Sequence, residues 1–421
     1  MDRQPVHTVY GGAHLFKAGA IRHLGSVALR SLHTFGADPL EFAAALGIPA
    51  NLADVVHARV IAKLEREPIE DYRIDFEDGY GVRTEAEELA DAVRCAQLAS
   101  DLPPFFGIRI KPIANPQAAR TLETFLEALV RLPENFAVTL PKVASPKDVR
   151  ILHDLLTTFE TEHALPAGQI RIELMIETPQ AIFTADGRVA LPDLIRSAGG
   201  RCRGAHYGPY DYTASLGIAA EHQSLDHPAC HFARQVMQVA LAGQGIHLAD
   251  GPTNLLPIPP HRGPELTVQQ QDENRQAVHH AWRVHFEDVQ RSLRNGFYQS
   301  LGSPSGTASQ PLCGGVRLLS SVPSASHREI EKFHRSVRTR DPCRRNFRRC
   351  GNWARLIQLL PSRTKLRSAD ERRGGSRLGI AASKVQVLGP RRDRQFSAGS
   401  KPASIRSRRE AIDRKSAATT I

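Results

Sequence analysis

FAVTLPKVASPKDVRILHDLLTTFE, residues 136–160, holds one complete strand, rim and helix. FAVTL is short, apolar and β-branched, which suits a buried strand. Lys142 follows it in LPKVASP. Ser145 with Asp148 then reads as a near variant of the capping box, opening a segment of helical spacing over 145–160.

The same unit recurs on both sides. Strand-like runs are VHTVY (6–10), YRIDF (72–76), FFGIRI (105–110), IRIELMI (170–176), CRGAHY (202–207) and GIHLAD (245–250). Helical segments lie between them at 84–99, 118–132, 231–243 and 267–295, with Thr84 and Glu87 forming a second start signal. A polar residue stands at or just after the end of each run: Glu77, Arg109, Lys142, Glu177, Asp211 and Asp250. Their intervals of 32, 33, 35, 34 and 39 residues fit the roughly 30-residue unit of a (β/α)8 TIM barrel, which places its chemistry on the C-terminal rim. A doubly wound sheet would normally announce a glycine-rich first turn, and the chain has no G-x-G-x-x-G. The reading is therefore a TIM barrel over residues 1–300, with a helical insertion at about 17–67. Strand eight is expected near GFYQSLG (296–302), where the composition changes, and is expected to be missing or altered.

Charge divides the chain at the same place. Residues 1–300 hold 28 Lys+Arg against 36 Asp+Glu, a balance of −8; residues 301–421 hold 27 against 8, a balance of +19. The tail lacks a sustained apolar period and reads as disordered. It is either a basic arm for nucleic acid or an acidic surface, or the product of a shifted reading frame near residue 300. The six cysteines form no C-x-x-C pair, no apolar run approaches the roughly 18–20 residues of a membrane span, and MDRQPVHTVY lacks a signal-peptide core. A reducing, cytoplasmic setting is expected.

RIDFEDGYG (73–81) crowds Asp75, Glu77 and Asp78 at the end of a strand. Adjacent barrel strands lie about 5 Å apart, so Glu177 and Asp211, on consecutive strand ends, have the spacing to share one hard cation, Mg²⁺ or Mn²⁺. The bland alternative makes Glu177 a helix cap or an arginine partner. Glu77 or Asp78 would hold metal-bound waters, or belong to a solvated turn. Arg109 points inward. It grips a carboxylate or a developing enolate oxygen, or forms a buried salt bridge to one of the nearby acids. Lys142 serves electrostatically or, if desolvated, as a Schiff-base lysine. Gly11 and Gly12 would let a carboxylate or phosphate approach backbone N–H groups, and Asp250 joins them and Arg109 as a candidate for substrate binding. His227 and His231 have ligand spacing across a proline; His279, His280 and His285 read as surface residues on a polar helix.

The order DFEDG, RIKP, LPKVAS, IETPQAIF and GPYDYTASLG resembles the citrate lyase beta-subunit / HpcH-HpaI aldolase family of pyruvate- and phosphoenolpyruvate-binding barrels. The DFED and YDY elements are also similar to malate synthases. HTVYGGAHLF, DHPAC and DGPTN resemble an aldolase-like branch sometimes labelled phosphoenolpyruvate kinase. The resemblance covers about residues 5–300. It implies Mg²⁺ at Glu177 and Asp211, a keto-acid or enolate at Arg109, and an acidic pair at Glu77 and Asp78. It also implies subunit packing into a homo-oligomer through a C-terminal helix, and an H-P-x-Q-like segment after strand eight; no such segment follows GFYQ. The expected activity is a Mg²⁺-dependent carbon–carbon lyase or condensing enzyme. It would act through the enolate of a small 2-oxo acid or an acyl-CoA-linked acid, with coenzyme A as part of the substrate in the second case. The alternatives are a Schiff-base aldolase using Lys142, phosphoryl transfer linked to phosphoenolpyruvate, or an inactive barrel whose basic tail binds nucleic acid.

Overall fold

The computed structural model describes residues 4–99 and 102–302 of the chain. Eight parallel strands close into a barrel in sequence order: β1 (His7–Gly12), β2 (Asp71–Asp75), β3 (Phe105–Arg109), β4 (Phe136–Leu140), β5 (Arg171–Ile176), β6 (Cys202–Tyr207), β7 (His247–Asp250) and β8 (Gln299–Gly302). The helices between β1 and β2 are α1 (Ala20–Phe35), α2 (Pro39–Leu46) and α3 (Ala53–Arg66). Around the rest of the barrel run α4 (Glu85–Gln97), α5 (Gln117–Ala128), α6 (Pro146–Glu162), α7 (Pro179–Ile182), α8 (Leu191–Ser197), α9 (Pro209–Ser215), α10 (Pro228–Leu241) and α11 (Val268–Arg294). Among the described residues no helix is long and apolar enough to cross a membrane.

Strand eight corrects an expectation: it is neither missing nor unpaired. Ser300 lies opposite His7 on β1 and Asp250 on β7, so four residues suffice to close the barrel. Its sequence, QSLG, is too short and too polar to stand out from the turn-like residues that follow it. The readings of the basic tail, disordered or out of frame, lie outside the described residues.

The two faces of each strand do different jobs. Outward residues, among them Ile74, Ile108, Val138, Leu174 and Tyr207, pack with Phe125, Leu152 and Met237 of the surrounding helices into one apolar layer. That burial is the main driving force for the fold. The inward positions usually hold branched apolar side chains. Here they hold only a small apolar cluster of Tyr10, Met175, Ala249 and Leu301. Beneath it lies charge. Arg73, fully buried, gives a two-pronged grip to Glu173 (2.9 and 3.0 Å) and pairs with Asp71; Arg203 and Thr139 also donate to Glu173, and Thr8 donates to Asp71 (2.8 Å). Burial would raise Glu173, but Arg73, His206 and Arg203 hold it well below the usual carboxylate range.

The insertion packs against α11 through a separate core that includes Leu32, Phe42, Leu64, Val278 and Trp282. The polar composition of α11 hides this. Its buried stripe also contains Asn274, His285 and Ser292. His285, read as a surface residue, is in fact buried and bonded to Thr253 Oγ1 at 2.9 Å.

Candidate active site

The ends of β1, β2 and β3 lie at one level: Gly12 is in register with Asp75, and Asp75 with Arg109. Asp75 organises the loop beyond its own strand. Its Oδ1 accepts from Glu77 N (3.0 Å) and its Oδ2 from Gly79 N (2.8 Å). The same carboxylate takes the fork of Arg109 through Nε (2.6 Å) and Nη2. Arg109 therefore forms a buried salt bridge with Asp75. The arginine is not free of partners; only Nη1 faces onward, at 3.4 Å from Glu77 and 3.5 Å from Asp78. The Tyr10 ring lies beneath it, 5.2 Å from the guanidinium carbon. Tyr10 Oη meets His206 Nδ1 at 2.7 Å, and His206 Nε2 faces Glu173 at 3.7 Å.

Lys142, two residues beyond β4, occupies the centre of the rim. Its φ of +49° lies in the left-handed region, which non-glycine residues seldom adopt and which concentrates at functional sites. That conformation aims two donors at acids. Its backbone N–H donates to Glu177 Oε1 (2.6 Å), and its ammonium lies 2.9 Å from Glu77, 2.9 Å from Asp211 and 3.3 Å from Asp78. Glu177 follows β5 and is buried, with Gly208 beneath it: a Cβ there would come within 2.7 Å of Glu177 Oε2. Helix α7 takes its cap from Thr178 rather than from Glu177. Asp211 sits in the first turn of α9 and is part-exposed.

Carboxylate oxygens of Asp78, Glu177 and Asp211 all lie within 4.8 Å of one another. The two acids assigned to a cation are thus brought together, and Asp78, read as a holder of metal-bound water, stands beside them as a third donor. An all-oxygen set from three loops suits a hard divalent cation. Burial pushes Glu177 up to about 8. Burial, and then hydrogen bonding with Asp78, push Glu77 up to about 7. Burial opposes ionisation of Asp78, but Glu77, Arg109 and Lys142 keep it below the usual carboxylate range. Burial alone would lower Lys142; Glu177, Glu77 and Asp211 instead hold its ammonium well above the ordinary lysine value.

Three other candidates receive packing explanations. A Cβ on Gly11 would lie 1.9 Å from the Tyr72 hydroxyl, and one on Gly12 would lie 2.1 Å from the Gly79 carbonyl. Those glycines admit neighbouring protein atoms to the barrel wall. Asp250 is fully buried and accepts from Arg234 (2.7 Å), Ser292 (2.6 Å) and Gly251 N (2.9 Å), so its carboxylate is consumed within the wall and turned from substrate. His227 caps α10 and His231 pairs with Asp226 at 3.0 Å, so neither has a ligand's surroundings.

The family model described as Domain of unknown function (DUF6986) matches residues 1–303, most of the chain, and the chain belongs to that family. No curated protein matches it. Among solved structures, a citrate lyase from Burkholderia xenovorans LB400 is similar at 17% identity, covering 81% of this chain and 86% of that one, with a TM-score of 0.49. A Haloferax volcanii malate synthase complex with magnesium and glyoxylate is similar at 14%, covering 77% of each chain, with a TM-score of 0.49. An HpcH/HpaI aldolase from Desulfitobacterium hafniense DCB-2 is similar at 12%, covering 80% and 95%, with a TM-score of 0.39.

Proposed function

We propose that this member of the DUF6986 family is a carbon–carbon lyase or condensing enzyme that works through the enolate of a small 2-oxo acid or acyl-CoA-linked acid. The observation that carries the reading is the meeting of Asp78, Glu177 and Asp211 at one point of the rim. Their oxygen-only donor set fits Mg²⁺ or Mn²⁺, and those three residues would hold it. When bound, such a cation supplies Lewis-acid stabilisation of negative charge on a keto oxygen.

The chain's own groups divide the remaining work. Arg109, locked by Asp75, keeps a positive charge at a fixed place, so stabilising growing anionic charge requires no reorganisation. Glu77, pushed up to about 7, has the proton affinity for a group that takes and returns a proton near neutrality. Lys142 stays an ammonium among its carboxylates and offsets their repulsion. A Schiff-base lysine must lose its proton to attack a carbonyl, and the three acids around Lys142 oppose that loss. The metal-assisted reading is favoured over the Schiff-base one for this reason.

The test is cleavage of oxaloacetate and of 4-hydroxy-2-oxo acids, followed by pyruvate release, together with borohydride trapping. The proposal expects release that EDTA abolishes and Mg²⁺ restores, with no borohydride-stable adduct. An adduct at Lys142 formed in EDTA would overturn it in favour of the Schiff-base route.

A further inference from the structure

A second group of charged side chains flanks the carboxylates, on the side of the rim made by β1 and the loop before α4. At its centre is Tyr80, buried, with its hydroxyl donating to Asp91 at 2.8 Å. Three basic groups surround its ring. The Arg83 guanidinium carbon lies 4.8 Å from the centroid and Lys111 Nζ lies 5.3 Å away; the His14 imidazole packs on it with centroids 5.6 Å apart. Lys111 is paired with Glu88 at 2.8 Å and donates to the Phe76 carbonyl. Asp91 is paired with Arg94 at 2.6 Å. Arg83 and His14 have no such partner among the described residues, and a buried nitrogen of each, Arg83 Nε and His14 Nδ1, makes no hydrogen bond.

Two basic groups brought together and partly removed from water destabilise the charged state of both. Burial, and then the charge of Arg83, lower the His14 imidazole, with Arg94 acting the same way and Asp91 and Asp75 opposing. An anion held between the two would reverse that penalty through charge-assisted hydrogen bonds. The loop is shaped for it. Gly81 takes a left-handed φ of +78° and Val82 is fully exposed, and the chain turns back so that Arg83 lies on the Tyr80 face. His14 lies two residues beyond Gly12, the last residue of β1 and the one in register with Asp75.

We propose that Arg83 and His14, set on Tyr80, form a subsite for a second anionic group of the substrate, a carboxylate or a phosphate. The substrate class is thereby narrowed to dianions, one end at the Asp78–Glu177–Asp211 cluster and the other on this basic pair. The inference rests on the reading of that cluster as the anchor for the reacting end.

The experiment follows the His14 Hε1 resonance of the full-length protein by NMR, assigned by its loss in His14→Gln. Succinate and inorganic phosphate are titrated separately, with EDTA present throughout. The expected result is a saturable shift in the parent and in Glu177→Gln, with affinity about tenfold weaker in Arg83→Gln, the loss of one charge-assisted contact, and partly restored in Arg83→Lys. Tighter binding of succinate assigns a carboxylate, and tighter binding of phosphate a phosphate. Absence of a saturable shift with either anion, or a shift unchanged in Arg83→Gln, overturns the subsite. Because no metal is present and Glu177→Gln is included, failure of the cation-site reading leaves this result standing.

Discussion

Replacing Arg73 by methionine removes the one cation that lies between two buried carboxylates. Asp71 and Arg73 are wholly buried and Glu173 is 3% exposed, so water cannot take the arginine's place. Two effects compete. Methionine avoids the desolvation penalty of a guanidinium, which favours the variant; Asp71 and Glu173 lose their main counter-charge, which opposes it. Breaking a buried pair by deleting one partner typically costs about 3–5 kcal/mol, whereas replacing all partners by neutral groups is often close to neutral. The second effect therefore wins for the single variant. The shift falls with size, from about 2–4 °C per kcal/mol at 150–250 residues to about 2 °C for a barrel of this length, so Tm near neutral pH should fall by about 6–10 °C.

The pH dependence gives a second check. In the parent, Arg73 helps hold Glu173 well below its ordinary value, so that stabilisation is lost as acid protonates it. In Arg73→Met, Glu173 keeps Arg203 but loses its two-pronged partner, and Asp71, which burial already raises in the parent, loses the charge that opposes that rise, so stability is gained as the two take up protons. The gap between parent and variant should narrow as pH falls below neutral. Thermal melts of the parent, Arg73→Met and the triple variant Asp71→Asn, Arg73→Met, Glu173→Gln across that range make the comparison. A loss below about 1 kcal/mol in the single variant, or a gap that widens in acid, would refute the view that this network balances itself inside the barrel.

Three further outcomes are expected. Burial lowers His206 from 6.5 to about 4, so its neutral form contributes stability that is complete above 6.5 and lost as pH falls toward 4; the loss amounts to about 3 kcal/mol, should flatten below that, and should be absent from the pH profile of Tm in His206→Gln. Glu177 is raised from 4.5 to about 8, so in the metal-free chain it withdraws stability as pH rises through that window; Glu177→Gln should then melt at least as high as the parent above about pH 8 while losing Mg²⁺-induced stabilisation, which scanning calorimetry with and without EDTA resolves. Gly107→Ala would set a Cβ 2.0 Å from the Ala137 carbonyl, and because that atom belongs to paired backbone the strand cannot yield, so a loss of at least about 3 kcal/mol is expected in urea titrations.

The barrel was legible because its signal is periodic. FAVTL and CRGAHY coincide with β4 and β6, and the polar residues following successive strands mark the rim. The place of strand eight, within GFYQSLG, was legible; its presence was not, because four residues ending in a glycine carry too little pattern and its identity comes from pairing with β1 and β7 rather than from its own composition. At the site, Glu177, Asp211 and Lys142 were legible as polar groups on neighbouring strand ends. Partnership was not. That Arg109 meets an acid follows only from the register of Asp75 beside it. Alternation of charge in DYRID, with Asp71, Arg73 and Asp75 on one face, was a readable sign of a charged barrel interior. At Gly11, Gly12 and Asp250 the packing partners were not legible, because glycine and carboxylate at a strand end serve close packing as readily as ligands.

The central claim is enolate chemistry at a rim where three acids would hold a cation. Deuterium exchange into the methyl group of pyruvate, followed by NMR in D₂O with Mg²⁺ or with EDTA, tests it most directly. The account predicts exchange above the buffer rate with Mg²⁺, none with EDTA, and none in Glu177→Gln. Exchange that persists in EDTA, or that survives in Glu177→Gln at the parent rate, would contradict it.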